Sequence, residues 1–330
     1  MLSDSGKVGK RLYYSERLVQ RVNELYHDLT ATEYESAPPE TIEEEKGRWE
    51  RVAKKFFDTE KPLTVVDIGT GTGFVPLAIA HLLKKGDTFI CTDISQKMLE
   101  AASTRIAKKN LPCDFKFVKI ESQVPLRLPL ETSSADAVTL NSVLHHIKDT
   151  RVFLREIDRI LKTSGLLLIS REPNRYFREH KFLWNNYQFL KYLTLSKDTV
   201  YEITVRTHTK KILRFLYSRY KKDNIFVRDD KVTELINSIL LQEKLVDAPL
   251  DTDEIVKITD IKASEGFRPD RICPTYELVY EETYNHLSSV EAAYSNSRIV
   301  KKYSRWLRKI FPKYGYSFFV VLRKPKTFGS

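Results

Sequence analysis

The sequence predicts an α/β fold: a seven-stranded, mostly parallel, doubly wound sheet with N-terminal helices and a helical lid insertion after strand five. Three observations favour this class. Short apolar runs alternate with amphipathic segments between residues 61 and 173, as in a parallel sheet covered by helices. A glycine-rich turn follows the first of these runs. The chain has 330 residues and is 42% hydrophobic, which is enough for a large core.

Seven runs are predicted to be strands. The first, Leu63–Ile68, is apolar apart from Thr64 and Asp67, as expected of a strand buried on both faces. The other six are shorter or alternating β-rich runs: Thr88–Thr92, Phe115–Ile120, Ala135–Leu140, Gly165–Ser170, Thr275–Glu282 and Tyr316–Leu322.

Helices are predicted at the N-terminus and between the strands. Residues 12–30 and 46–58 have helical spacing, whereas the polar stretch 33–45 contains Pro38-Pro39 and is predicted to be a loop. Further helices are predicted after the glycine turn and over Ser95–Lys109, Thr150–Leu161, Asp253–Ser264 and 290–311. The expected organisation is an N-terminal helical segment (1–60), a core (61–173), a helical insertion (174–250) and the second half of the core (251–330).

Composition limits the class of partner and compartment. A net charge of +11 favours nucleic acid, an acidic membrane face or an anionic small substrate. Cys91, Cys113 and Cys273 are far apart, so neither a disulfide scaffold nor a metal site is expected. Residues 1–21 lack an apolar signal-peptide core, and no apolar stretch is long enough to span a membrane. We therefore expect a cytoplasmic protein; its oligomeric state is left open.

The glycine turn has the sequence Asp67-Ile-Gly-Thr-Gly-Thr-Gly73 and joins a strand to a helix. Glycines let a backbone turn sharply and approach a ligand closely. The dinucleotide pattern G-x-G-x-x-G fails in both registers, because its third glycine falls on Phe74 or Pro76. The spacing that fits is D-x-G-x-G-x-G, with the acid on the strand itself.

A second acid, Asp93, closes the second strand 20 positions after Gly73. A carboxylate at this strand tip is placed to accept hydrogen bonds from both ribose hydroxyls of a nucleoside. The alternative is that Asp93 only caps the helix that starts near Ser95.

These residues resemble class I, Rossmann-like methyltransferases that use S-adenosyl-L-methionine (SAM). Within this class, the residues are most similar to the type 11 small-molecule branch. That branch includes quinone and natural-product methyltransferases. The resemblance rests on the glycine turn, Asp93, the run Asp136–Asp149 and the run Leu161–Ile169. It covers about 62–172, returns weakly at 253–323 and does not cover 174–245.

The resemblance implies SAM as the cofactor and assigns its binding residues. The methionine end of SAM would be held by Asp67 and by the backbone of Gly69, Thr70, Gly71 and Gly73. Asp93 would bind the ribose, and Ile94 would pack on the adenine. The other expected cofactor residues are Met98, Asn141 and Ser142. The family often has an Asp after strand three for the adenine amino group, where this chain offers Glu121 or Ser122. Tyr26 and Tyr34 are expected either to close over SAM or simply to pack.

Two groups are candidates for the acceptor end. His145 and His146 follow strand four, where either is placed to act as a general base or substrate contact; His146 matches the family motif and is the preferred candidate. Tyr284, Asn285 and His286 follow strand six and are expected at the same edge of the sheet. The alternatives are structural histidines and an ordinary polar loop.

The insertion combines bases with aromatic residues. Residues 171–222 hold thirteen bases and four acids, a net charge of +9, and residues 301–326 hold nine bases and no acid. Interleaved aromatics and bases fit single-stranded nucleic acid. They also fit a lid with an apolar underside, in which Trp184 and Tyr187 would contact the substrate.

The expected function is methylation of a small molecule, aromatic or long-chain with an anionic group, such as a natural product, quinone or lipid-like compound. An RNA methyltransferase is the first alternative, although the sequence has no Asn-Pro-Pro-Tyr motif of base-amino methyltransferases. A non-catalytic SAM-binding partner protein is the second.

Overall fold

The structure is a computed structural model that describes residues 14–32, 39–57, 60–190, 230–287 and 298–326. Within them, seven strands form one sheet in the order β3-β2-β1-β4-β5-β7-β6, which confirms the α/β class. The strands are β1 (Thr64–Ile68), β2 (Thr88–Asp93), β3 (Asp114–Lys119), β4 (Ala135–Asn141), β5 (Leu161–Pro173), β6 (Glu277–Tyr284) and β7 (Ser317–Arg323).

The first five strands are parallel, and only β7 runs against its neighbours β5 and β6. The carboxyl ends of β1 to β6 therefore meet at one edge of the sheet. β5 is longer than expected because it begins directly after a helix and continues to Pro173. Its register with β7 shifts between Ser170 and Glu172, and the intervening Arg171 has a φ of 61°.

Helices cover both faces of the sheet. They are α1 (Glu16–Thr30), α2 (Pro39–Phe56), α3 (Phe74–Ile79), α4 (Gln96–Ala107), α5 (Thr150–Ile160), α6 (Arg175–Glu179), α7 (181–190), α8 (Asp230–Gln242), α9 (Thr252–Thr259) and α10 (Arg298–Ile310). Short 3-10 turns lie at Ala80–Leu82, Leu144–His146 and Pro269–Arg271. None of the helices in the described ranges is long and apolar enough to cross a membrane.

The start of α2 corrects one expectation. The stretch 33–45 was expected to be a loop, but the helix begins at Pro39. Proline is well placed at the first helical position, because its N–H would lack an intrahelical partner there and its φ already suits a helix. The cap expected at Ser95 is present: its hydroxyl accepts a hydrogen bond from the Met98 N–H.

The core has a layer on each face of the sheet. Adjacent residues of β7 show the division, since Phe318 packs with one layer and Phe319 with the other. A third cluster joins α1, α8 and α9, and a fourth joins α6, α7 and α10.

The expected helical insertion, 174–250, is described only in part. Residues 191–229, which hold most of its bases, lie outside the described residues.

Gly315 and Gly47 give a matched test of how closely the chain packs against the backbone of Tyr284. A Cβ on Gly315 would lie 2.3 Å from the Tyr284 backbone nitrogen, whereas one on Gly47, inside α2, would meet nothing within 4 Å. We expect Gly315→Ala to lower the free energy of unfolding by more than about 3 kcal/mol, because backbone must move to admit the methyl group. Gly47→Ala should raise it by about 0.5–1 kcal/mol. Urea unfolding measures both, and equal effects would contradict the packing at Gly315.

Candidate functional site

A cavity of about 870 Å³ lies at the carboxyl ends of β1, β2 and β4 and is bounded by α1. Most of the expected cofactor and catalytic residues line it: Gly69, Thr70, Gly71, Asp93, Ile94, Met98, Asn141, Ser142, His145 and His146. The strand tips bring together residues that are up to 77 positions apart, from Gly69 to His146.

The glycine turn needs glycine at two positions for different reasons. Gly69 has a φ of +69°, and a Cβ there would lie 2.7 Å from a methyl carbon of Val143. Gly71 has a φ of +54°, lines the cavity, and a Cβ there would meet nothing within 4 Å. A side chain at Gly71 would therefore project into space that a ligand can use. Gly73 does not line the cavity and instead caps α3.

Asp67 lies directly behind this turn rather than in the cavity lining. Its Oδ1 accepts a hydrogen bond of 2.6 Å from the Thr139 hydroxyl. Its Oδ2 is buried and has no hydrogen-bond partner among the described residues. Burial raises the pKa of Asp67 to about 7, against the opposing hydrogen bond from Thr139. An unsatisfied carboxylate oxygen at this point is suited to a cationic ligand group.

Asp93 links the turn to the next helix. Its Oδ2 accepts a hydrogen bond from the Gly71 N–H (2.8 Å), and its Oδ1 accepts one from the Ser95 N–H (2.9 Å). Burial raises the pKa of Asp93 to about 6. Ser95 itself caps α4, so capping does not account for Asp93. Each carboxylate oxygen keeps acceptor capacity for a ligand hydroxyl in the cavity.

The adenine side differs from the expectation. Glu121 is exposed, and neither it nor Ser122 lines the cavity, although Ile120 before them does. Ser122 instead donates a hydrogen bond to Gln20 of α1 (3.3 Å). Gln20 does line the cavity, and its Nε2 is buried without a partner among the described residues. Sequence reasoning missed Gln20, since nothing in α1 marks it.

At the histidine end of the cavity, Glu172 holds the turn that follows β4. The sequence analysis did not single out this residue. Its fully buried carboxylate accepts the backbone N–H groups of Val143 (2.6 Å), Leu144 (2.8 Å) and His145 (3.2 Å). It also accepts a hydrogen bond from Nδ1 of His145 (2.8 Å). The position of Glu172 at the carboxyl tip of a parallel strand was the available signal.

His145 is consequently held with Nδ1 on Glu172 while its side chain lines the cavity. Burial disfavours its protonated form, but the carboxylate of Glu172, helped by Asp260, outweighs burial and raises the pKa of His145. A histidine oriented by a carboxylate through Nδ1 has Nε2 available to take a proton.

His146, the preferred candidate, also lines the cavity, but its contacts differ from those of His145. Its Nδ1 donates to the Thr259 carbonyl (2.6 Å), and its ring packs edge-on against His27 at 5.4 Å. Burial, then His145 and His27, lower the pKa of His146 well below 6.5. His146 is therefore held in place as a neutral residue of the cavity wall, and its expected role as a base or substrate contact stays a prediction.

His145, His146 and Asp260 form a compact group whose potential ligand atoms lie within 4.8 Å of one another. Ligand atoms of a tetrahedral zinc site are closer, at about 3.4 Å, given zinc–nitrogen bonds of about 2.0–2.1 Å. Nδ1 of each histidine already donates to Glu172 or to Thr259. The spacing thus fits an electrostatic cluster better than a closed metal site.

The group at the end of β6 lies at the expected edge but away from the cavity: Tyr284 is the last residue of β6, and Asn285 and His286 follow it. Tyr284 and His286 are buried, and with Asn285 they line a separate polar cavity of about 670 Å³. The Tyr284 hydroxyl bonds Ser170 and Glu45. The reason is the strand order, which puts β6 at the far edge of the sheet, beyond β5 and β7.

The aromatic candidates also lie elsewhere. Tyr26 is buried in the cluster of α1, α8 and α9. Trp184 and Tyr187 pack in the cluster of α7 and α10, because the apolar side of α7 faces α10. None of the three lines the 870 Å³ cavity. Tyr34 lies outside the described residues.

Three further residues complete the acceptor end and were not anticipated as site residues. The Trp49 indole N–H donates to the side-chain oxygen of Asn141 (3.1 Å), fixing that strand tip. Arg171 and Lys262 line the cavity beside the histidines. The sequence could have indicated only Arg171, because it is a charged residue at a strand tip. Trp49 and Lys262 belong to segments that are distant in the chain.

Comparison with known proteins follows this geometry. A sequence model of the family described as "Methyltransferase domain" matches residues 66–169. The ubiquinone/menaquinone biosynthesis C-methyltransferase UbiE of Shewanella baltica (strain OS155) is 25% identical over 121 residues, which are 37% of this chain and 47% of that protein. The chain therefore spans about half the length of the curated relatives it matches.

Two solved structures are also similar to this chain, at low TM-scores. A SAM-dependent methyltransferase from Aquifex aeolicus is 24% identical, with a TM-score of 0.34 over 41% of this chain and 73% of that one. The YcgJ protein from Bacillus subtilis is 15% identical, with a TM-score of 0.40 over 85% of this chain and 99% of that one. Residues 66–169 thus match a methyltransferase domain, and the strand order of the sheet agrees with the α/β class.

Proposed function

We propose that this protein transfers the methyl group of SAM to a small-molecule acceptor, aromatic or long-chain, that carries an anionic group. The observation that carries the proposal is the continuity of the 870 Å³ cavity between Asp93 and His145. Ligand pockets have volumes of about 300–1,000 Å³, so this one has room for a cofactor and an acceptor side by side.

The acid end suits the cofactor. The backbone of Gly69 and Gly71 would lie against its methionine part, with the free Oδ2 of Asp67 close by for the ammonium group. Asp93 would accept the ribose hydroxyls, and Ile94 and Met98 would pack on the adenine. When bound, SAM supplies an electrophilic methyl group on a sulfonium. The protein then has to align an acceptor atom and exclude water.

The histidine end suits an acceptor that must lose a proton. His145, oriented by Glu172, would take that proton at Nε2, and its raised pKa makes it a stronger base than an ordinary histidine. His146 and His27 would form a neutral wall beside it.

The lining supports the acceptor class. Apolar side chains of Val124, Leu126, Ile147 and Phe153 line the cavity, as does Pro125. Arg171 and Lys262 add positive charge beside His145, which suits a carboxylate, phosphate or phenolate on the acceptor. The name of the Shewanella relatives, ubiquinone/menaquinone biosynthesis C-methyltransferase, is in keeping with an acceptor that has a ring.

The transfer itself is tested with methyl-labelled SAM and a mixture of cellular metabolites and RNA. We expect label in a small molecule, and His145→Asn should reduce transfer at least about 100-fold. Asparagine keeps a donor near the Nδ1 position for Glu172 but removes Nε2. His146→Asn, the matched control, should lower thermal stability more than transfer.

Two results would count against the proposal. Label recovered in RNA instead of a metabolite would favour an RNA methyltransferase. SAM binding without any labelled product would favour a non-catalytic partner protein. Equal losses of transfer in the two histidine variants would remove the role assigned to His145.

Binding of S-adenosylhomocysteine tests the cofactor end separately. Asp93→Asn should weaken it at least about tenfold, because hydrogen bonds to a charged group contribute about 1.5–3 kcal/mol each. Asp87 is a matched control at the opposite end of β2: it is also buried, and its carboxylate accepts the N–H groups of Leu63 and Lys84. Asp87→Asn should lower the melting temperature but leave affinity unchanged. Calorimetric titration that finds equal affinities for both variants would refute the assignment.

Cofactor affinity should also depend on pH. Burial raises the pKa of Asp93 to about 6 and of Asp67 to about 7, so the free protein takes up protons as the pH falls through this window. Only the ionised carboxylates can pair with an ammonium and accept two hydroxyls, so binding must expel those protons. Affinity for S-adenosylhomocysteine should thus fall below about pH 7, by up to about tenfold per pH unit for each proton. Calorimetry at several pH values measures it; an unchanged affinity would contradict the raised pKa values.

A further inference from the structure

The helix α10 presents an unusual surface that the proposed reaction does not use. Its thirteen residues include six bases and no acid. Three large apolar side chains on it are exposed: Ile299 (81%), Trp306 (48%) and Ile310 (49%). Their spacings of seven and four residues bring them onto one side of the helix. We call these three residues the α10 stripe.

Bases border the α10 stripe. Lys302 and Lys309 each follow a stripe residue by three positions, so both lie along the same side of it. Both are exposed, and neither forms an ion pair with any residue in the described ranges. The charge beside the stripe is therefore positive and available to an external partner.

Packing on the other side of α10 keeps the stripe outward. Leu307 is fully buried among Phe177, Leu183 and Tyr187. Tyr303 donates a hydrogen bond to Asn186 of α7 (3.2 Å), and its ring stacks on Trp306 with 14° between the planes. The orientation of the helix is thus fixed by the buried Leu307 and by the hydrogen bond from Tyr303 to α7.

Exposed apolar side chains gather around the same unit. On α7, Phe182 (50% exposed) and Phe189 (60% exposed) are seven residues apart and share a face. The ring of Phe182 lies 5.8 Å from that of Phe311, the residue that follows α10. Five of the nine exposed large apolar side chains in the described ranges therefore belong to α7 and α10. Such concentration marks an interaction surface rather than scattered exposure.

We propose that α10 docks on an anionic phospholipid bilayer, with its axis in the plane of the headgroups. The α10 stripe would enter the boundary of the acyl chains, where Trp is a favoured residue, and Lys302 and Lys309 would lie among lipid phosphates. This surface lies outside the cofactor cavity, none of whose lining residues belongs to α7 or α10.

The charge pattern selects this partner over two others. Nucleic acid would satisfy the bases but would leave Ile299 and Ile310 in water. A second copy of the chain would cover the apolar side chains but would bring two helices of six bases each into contact, which like-charge repulsion opposes. An anionic bilayer satisfies both the stripe and the bases.

Sedimentation with vesicles tests the proposal on the full chain. We expect wild type to bind vesicles that contain phosphatidylglycerol, and to bind pure phosphatidylcholine vesicles at least about tenfold more weakly. Trp306→Ser/Ile310→Ser should lose most of the binding. The matched control is Leu235→Ser/Leu241→Ser, which removes two exposed apolar side chains from α8 and should bind as wild type does.

Charge reversal supplies the second arm. Lys302→Glu/Lys309→Glu should weaken binding at least about tenfold, and added salt should weaken the wild type in the same direction. Lys85→Glu/Lys109→Glu, which changes two exposed lysines elsewhere, is the charge-matched control. All variants should keep the thermal shift with S-adenosylhomocysteine, which shows that they are folded and separates this test from that of the proposed function.

Three results would overturn the proposal. One is wild type that stays in the supernatant with both kinds of vesicle. Another is tighter binding to single-stranded RNA than to anionic vesicles, lost in the lysine variant. The third is a dimer seen by light scattering that the stripe variant dissociates.

Discussion

The acceptor end of the cavity depends on one buried charge, the carboxylate of Glu172. Removing a carboxylate from water is costly unless donors replace the water, and here three backbone N–H groups and the His145 ring do so. Next to Glu172, β5 carries a register shift, and Arg171 adopts a φ of 61°. Without Glu172, the backbone N–H groups at the start of the turn Leu144–His146 would lose their acceptor, and the His145 ring would lose the contact that orients it.

A second buried polar network ties α2 to the same edge of the sheet. Glu45 accepts hydrogen bonds from the hydroxyls of Tyr284 and Ser170, and it pairs with Arg48 at 2.8 Å. One turn further along, the Trp49 indole N–H donates to Asn141. The N-terminal helix α2 is thus bonded to the tips of β4, β5 and β6, and it closes the sheet edge beside the cavity.

The place of the cavity at the glycine turn and Asp93 could be predicted from the sequence because its signals are local. The strand from Leu63, the glycine turn and Asp93 lie within 31 consecutive residues, and the spacing of the glycines does not fit a dinucleotide site. The acceptor end depends on contacts between distant segments: Glu172 with 143–145, Trp49 with Asn141, and His146 with Thr259. No short-range spacing encodes such pairs. The group after β6 was assigned to the right edge, yet its distance from the cavity is set by strand order, which periodicity does not reveal.

The charges along the cavity have opposite signs at its two ends, and this links the ligands of the proposed reaction. Asp93 lines one end, with Asp67 buried behind the turn there, which would suit a cationic cofactor, whereas Arg171 and Lys262 at the other end would suit an anionic acceptor. Glu172 raises the pKa of His145, but the positive charge of Arg171 opposes this. An anionic acceptor paired with Arg171 cancels that opposition, because the pair has little net field at the imidazole. In the proposed reaction, His145 would then become a stronger base when the acceptor is in place, so the side chain that would recognise the acceptor would also tune the group that would deprotonate it.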